Sequence, residues 1–170
     1  MKVLILAGSS RKDSLNQKLQ KRLAEVAEGL NMTVNLYPAE ALDAPIYNGD
    51  YEEANGYPES IKSLNNAISN ADKVVIVSPE YNSSVPPLLK NAIDWSSREN
   101  IAVWKSKVVL LAAASPGALG GLRSLSHLRD ILSNLKAWIA PEFGSIKNAS
   151  AKEIADTDHE FLQHFLQQGD

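Results

Sequence analysis

Three short runs of the chain are apolar throughout: Val3 to Ala7, Val74 to Val77 and Val108 to Ala114. Continuous, valine-rich apolarity of this length is the pattern of strands covered on both faces of a parallel sheet. Thr33-Val34-Asn35-Leu36-Tyr37 alternates instead, as a half-exposed edge strand does. A fifth strand is expected near Trp138 to Ile146, where Pro141 and Gly144 interrupt the run and so also suit an edge. Between these runs the spacing changes to threes and fours. Leu15, Leu19, Leu23, Val26 and Leu30 predict one helix; Ile61, Leu64 and Ile68 predict a second. Leu122, Leu125, Leu128, Leu132 and Leu135 predict another. Leu88 to Trp95 reads as a short helix entered through Pro86-Pro87, and Phe161, Leu162, Phe165 and Leu166 mark a C-terminal one.

Regular alternation of strand and helix predicts a three-layer α/β sandwich, here one domain over 1–170. Three central and two edge strands fit a flavodoxin-like, five-stranded parallel sheet of order 2-1-3-4-5. That order places a ligand outside the carboxyl ends of the first and third strands, where the winding direction reverses. The loops after Ala7, Val77 and Ala114 should therefore line one crevice. The stretch from Pro38 to Pro58 is long for a connection and is expected to be a lid or a subunit contact. Tyr47, Asn48-Gly49 and Tyr51 give it the look of an ordered segment.

Composition narrows the chemistry. A chain of 170 residues with 44% apolar positions is long enough to bury a sizeable core. A formal charge of −3 and a pI near 5.6 argue against a nucleic-acid partner, which would require a basic surplus. No run approaches the roughly 18 apolar residues of a membrane helix. Met1 leads almost directly into the first strand, a run too short for a signal peptide's apolar region, so the cytoplasmic compartment is expected. The absence of cysteine removes disulfides, thiolate nucleophiles, Cys-zinc sites and iron–sulfur clusters. His127, His159 and His164 have no spaced partner that would form a metal site, and His127 reads as structural or solvent-facing.

The first loop reads Gly8-Ser9-Ser10-Arg11-Lys12-Asp13-Ser14-Leu15-Asn16. It runs from a buried strand into a helix, so free backbone N–H groups and the positive end of the helix dipole face the crevice. Hydroxyls at Ser9, Ser10 and Ser14, the Asn16 amide and the Arg11 guanidinium add donors for phosphate oxygens. Two readings stand: a phosphate cradle, or an ordinary N-cap with a solvated arginine beside it. Neither the P-loop spacing nor the three-glycine dinucleotide fingerprint is present, so a monophosphate fits better than a pyrophosphate.

The second loop, Ser78-Pro79-Glu80-Tyr81-Asn82-Ser83-Ser84-Val85-Pro86-Pro87, is stiffened by three prolines and rich in polar groups. It is either a rigid crossover turn or a set of ligand contacts at a strand's carboxyl end. The third, Ser115-Pro116-Gly117-Ala118-Leu119-Gly120-Gly121, is a strand-to-helix turn whose glycines would also permit close approach to a flat ligand. No Ser-His-Asp set is convincingly spaced, and Glu80 is the one carboxylate inside the second loop.

Gly8-Ser9-x-Arg11-x-x-Ser14-x-Asn16, Pro79-Glu80-Tyr81-Asn82-x-Ser84-x-Pro86 and Leu89-Lys90-Asn91-Ala92-Ile93-Asp94-Trp95 resemble the NADPH-dependent FMN reductase family. Ser115-x-Gly117-x-x-Gly120-Gly121, followed by Arg123 and Leu128-Arg129, is similar to its third motif. The likeness runs in order from about Val3 to Pro141. It implies that the FMN phosphate is held by Ser9, Arg11, Ser14, Asn16 and nearby backbone, with Ser10 and Leu15 in the same cradle. It implies that Pro79, Glu80, Tyr81 and Asn82 meet the isoalloxazine edge, with Ser84 in the same loop. Ser115 and Gly117, with Gly120, would approach the ring from the third loop.

The resemblance further implies that NADPH or NADH is the co-substrate and that a quinone or similar small molecule is the electron acceptor. The chemistry would then lie on FMN, with no catalytic side chain. Homodimers or homotetramers are implied, with Asp94 and Trp95 near the interface or, alternatively, packed in the core. A flavodoxin-type FMN electron carrier without nicotinamide activity is the competing expectation, though such carriers usually show a more acidic surface. Asp13 and Pro87 depart from the family pattern, each standing where glycine is frequent.

Overall fold

The computed structural model describes residues 1–156 and 159–168, so 157–158 and 169–170 of the expected domain lie outside the described residues. The strands are β1 (Lys2–Ala7), β2 (Thr33–Tyr37), β3 (Lys73–Val77), β4 (Val108–Ala114), β5 (Trp138–Ile139) and β6 (Gly144–Ile146). The helices are α1 (Leu15–Gly29), α2 (Gly49–Asn55), α3 (Glu59–Ser69), α4 (Pro87–Glu99), α5 (Leu122–Asn134), α6 (Ala151–Asp156) and α7 (Glu160–Gln167). The sheet order is β2-β1-β3-β4-β5, with β6 also on β4 and every ladder parallel. This is the predicted flavodoxin-like sandwich.

Apolarity on both faces of the central strands has a direct structural counterpart. Leu4, Leu6, Val74, Ile76 and Leu111 pack against α3, α4 and α5. Their neighbours in sequence, Val3, Ile5, Val75, Val77 and Leu110, pack against α1, α6 and α7 on the other face. Successive strand residues point to opposite faces, so two helical layers require a continuous apolar run. β2 is an edge, but its alternation is imperfect: Leu36 is 42% exposed.

The interrupted fifth strand is two short strands. The chain leaves the ladder between β5 and β6, around Pro141, which has no N–H to give it. Gly144 opens β6 instead of interrupting a strand, and its reason is steric: a Cβ there would lie 2.4 Å from Cε2 of Phe161.

The connection from Pro38 to Pro58 is ordered and pinned to α4. It holds a 3-10 turn, Ala39–Leu42, and helix α2, which the apolar spacing did not predict because no residue of α2 is buried. Asn91 accepts from the Tyr47 N–H (2.8 Å) and donates to the Ala44 and Pro45 carbonyls. Trp95 Nε1 donates to Pro45 O at 2.7 Å, and Tyr47, Tyr51 and Tyr57 stand edge-on to its ring. Helix α4 runs past Trp95 to Glu99, and Trp95 is fully buried within the chain. Of the two roles considered for Trp95, core packing is the one observed. Asp94 pairs with Lys90 one turn earlier, at 2.7 Å. Pro87 occupies the first turn of α4, where its missing N–H and fixed φ cost nothing.

Candidate active site

The carboxyl ends of β1 and β3 are joined where the winding reverses: Gly8 N–H donates to Val77 O at 2.8 Å. The three predicted loops converge there on a cavity of about 170 Å³. Ser9, Arg11, Ser14, Leu15 and Asn16 line it from the first loop. Pro79, Glu80 and Tyr81 line it from the second, and Ser115 from the third. Ala114 and Pro116 also line it and were not anticipated; their apolar side chains gave no signal beyond standing next to Ser115.

The first loop is rich in unused donors. From Ser9 to Leu15, the main-chain N–H with an acceptor among the described residues is that of Ser14, bonded to Arg11 O at 3.2 Å. Ser9 is 2% exposed, and its hydroxyl has no partner among the described residues. Arg11 is exposed and forms no ion pair among the described residues. Ser14 is the N-cap of α1, its Oγ accepting from Asn16 N at 3.1 Å. Asn16 is a clip across the fold. Its Nδ2 donates to Ala114 O at 3.0 Å and its Oδ1 accepts from Ala114 N at 2.9 Å. It fastens the start of α1 to the end of β4. Ser10 is exposed and lies outside the cavity lining. Asp13 is exposed too, with φ of 57°, the left-handed region that glycine favours and aspartate tolerates. It forms no ion pair with Lys12 or Lys18.

The second loop closes on itself. Tyr81 and Ser84 exchange two main-chain hydrogen bonds of 3.0 Å, with Asn82 (φ 49°) and Ser83 (φ 64°) between them. Two left-handed central residues make this a type I′ hairpin turn, which favours asparagine first. Asn82 and Ser84 therefore sit in the turn, off the cavity lining. The Ser84 hydroxyl meets Nδ1 of the exposed His127 at 3.0 Å. The amides of Glu80, Asn82 and Ser83 have no acceptor among the described residues. Tyr81 is 46% exposed against the cavity.

Two glycines of the third loop, Gly120 and Gly121, serve packing. At Gly120 (φ 58°) a Cβ would lie 2.5 Å from Ser145 Oγ, and at Gly121 (φ 80°) 2.6 Å from the Ala113 Cβ. Gly117 N donates to Ser115 Oγ at 3.1 Å, and neither Gly117 nor Gly120 lines the cavity.

A second hollow, about 300 Å³, lies beside Trp138 and Phe161 at the other half of β4; it is mostly apolar, with Glu142, His164 and Gln168 also in its lining. Among the described residues no cluster of His, Asp or Glu could hold a metal ion. Unpaired amides at a helix N-terminus, a free hydroxyl and a free guanidinium form a donor set for a phosphomonoester. Rigid, amide-bearing backbone with a tyrosine face beside it suits the edge of a flat heterocycle. The residues present fit FMN.

Comparison with known proteins identifies the family. A quinone reductase of Escherichia coli K12 is 40% identical, over 99% of this chain and 91% of its own. A 2-hydroxy-1,4-benzoquinone reductase of a Burkholderia species is 32% identical, over 98% and 92%. Among solved structures, FerB of Paracoccus denitrificans, a flavoenzyme NAD(P)H:(acceptor) oxidoreductase, superposes with a TM-score of 0.74 at 31% identity, covering 97% of this chain and 94% of that one. A Pseudomonas aeruginosa flavodoxin, 12% identical with a TM-score of 0.62, shares the fold over 97% and 96%. Residues 1–151 match the family profile, and the chain belongs to the NADPH-dependent FMN reductase family.

Proposed function

We propose that residues 1–170 form one FMN-binding domain that oxidises NADPH or NADH and reduces a quinone or similar small acceptor. The observation that carries this reading is the convergence, at one strand-order reversal, of a phosphate-type donor set and an amide-bearing loop. Quinone reduction by the relatives supports the choice of acceptor.

When bound, FMN would supply the redox chemistry, two-electron oxidation of the nicotinamide coupled to reduction of the acceptor, with the further proton a quinone needs coming from solvent. The chain's own residues bind and orient. Arg11, the Ser9 hydroxyl and the free amides of the first loop hold the phosphate, while Ser14 and Asn16 set the start of α1. The Glu80 amide would meet the ring's polar edge, Tyr81 would cover its side, and Pro79 and Pro116 would keep water from it. The Glu80 carboxylate accepts from main-chain N–H groups in the first turn of α5, which gives it a structural role.

Tyr81, Leu119 and Leu122 leave apolar surface exposed beside the cleft, which supports a homodimer or homotetramer. Among the described residues no helix is long and apolar enough to cross a membrane, which is compatible with a cytoplasmic enzyme. The test is optical. Purified protein should be yellow or take up added FMN; NADPH or NADH should bleach it, and a quinone should restore the colour. Colourless protein that rejects FMN overturns the reading. Flavin that binds but is not reduced by either nicotinamide favours the electron-carrier alternative.

A further inference from the structure

The start of α5 cannot carry a capping side chain of its own. Its N-cap is Gly121, held at φ 80° with Ala113 occupying the space a Cβ would need, so serine or aspartate is excluded there. The orphaned amides of the first turn find their acceptor in another loop. Glu80 Oε2 accepts from Arg123 N at 3.0 Å and from Ser124 N at 3.4 Å. Arg123 reaches back, its Nη1 lying 3.5 Å from Glu80 Oε1 and donating to Ser83 Oγ at 3.0 Å. At the base of the same loop, Ser78 Oγ lies 3.2 Å from Ser124 Oγ. The second loop is thus fastened to one helical turn at Ser78, Glu80 and Ser83.

We infer that Glu80 is a positioning residue: its carboxylate caps α5 from the second loop and thereby fixes the stretch Pro79 to Tyr81, which lines the cavity proposed for the flavin. The inference rests on the FMN reading above. A carboxylate is the favoured acceptor at this point, because it takes two peptide N–H groups and faces the positive end of the helix dipole. Its loss frees the ring-side loop while leaving the phosphate cradle of the first loop untouched. The two halves of the cofactor therefore report on different residues.

The experiment titrates FMN and riboflavin, which lacks the phosphate, against wild type, Glu80→Ala, Glu80→Gln and Arg11→Ala, and follows amide exchange at Arg123 and Ser124. Loss of a cap of this kind predicts that Glu80→Ala weakens both flavins alike, by about tenfold. The FMN-to-riboflavin affinity ratio stays unchanged, the bound flavin's visible band shifts, and the two amides exchange faster. Glu80→Gln keeps an acceptor oxygen and recovers most of the affinity. Arg11→Ala lowers the ratio and spares riboflavin.

Wild-type affinities and protected amides in Glu80→Ala overturn the inference. So does intact flavin binding with lost turnover, which would make Glu80 an acid or base. If Glu80→Ala does not fold, Glu80→Asp decides: its carboxylate, one methylene shorter, is drawn back from the two α5 amides and must weaken both flavins in equal proportion, and unchanged affinity overturns the inference. Wild-type protein that takes up neither flavin defeats the FMN reading itself, and the role of the clasp with it, before any variant is compared.

Discussion

Asp13 is the residue whose sequence and structure are hardest to reconcile until its backbone is considered. Its charge stands beside the donor set, but its position requires a left-handed backbone, and its side chain is exposed to solvent. The contrast with Ser9 and Arg11 is instructive. Both line the cavity and neither side chain has a hydrogen-bond or ion-pair partner among the described residues, whereas the Asn16 amide is bonded to Ala114 through both its nitrogen and its oxygen. Arg11→Ala is therefore expected to weaken FMN by about ten- to a hundredfold, the worth of a charge-assisted hydrogen bond of roughly 1.5–3 kcal/mol. Riboflavin affinity should not change. Fluorescence titration of both flavins checks it, and a loss shared equally by riboflavin would remove Arg11 from the phosphate.

At the scale of elements, the glycines divide by what lies behind them. Gly144 lets Phe161 of α7 press against the first residue of β6. Gly144→Ala pushes a methyl group into that ring, and overpacking of this kind costs about 1–3 kcal/mol. Thermal unfolding should fall by roughly 2–10 °C for a domain of this size. Gly117→Ala is the control: its Cβ would meet Ser115 Oγ at 3.5 Å, an ordinary contact, and its unfolding temperature should match wild type. Equal losses in both variants would show that the Phe161 contact is not the cause. The sequence marked these positions as glycine. It carried no sign of which neighbour each one admits.

On the scale of the whole molecule, the segment from Pro38 to Pro58 is held to the sandwich through Glu52. Its carboxylate accepts from Arg98 Nε and Nη2, both at 3.1 Å, and from the hydroxyls of Tyr47 (2.9 Å) and Tyr57 (3.2 Å). Hydrogen bonds from Arg98 first, then from the two tyrosines, hold the Glu52 carboxyl below its ordinary range, against the opposing effect of burial. A depressed carboxyl gives stability that is present above its unfolded value and lost as pH falls through its folded one. The stability gap between wild type and Glu52→Gln should thus be full at neutral pH and close on acidification below about pH 4. Urea unfolding at neutral, mildly acidic and strongly acidic pH measures it; a gap that stays constant would mean that ionisation of Glu52 is not its source.

Strand and helix alternation, the sheet order and the three loops of the site were legible in the amino-acid sequence. Apolar periodicity is a local signal, and a parallel sheet with one reversal has few ways to be wound. What the sequence left open was which polar side chains remain free for a ligand. Asn16 and Glu80 look like binding residues as letters, yet their hydrogen-bond partners stand 98 and 43 residues away along the chain. Ser9 and Arg11 look no different and keep their donors. Hydrogen bonds saturate, and whether a donor or acceptor is already taken depends on neighbours that tertiary packing alone brings within 3 Å.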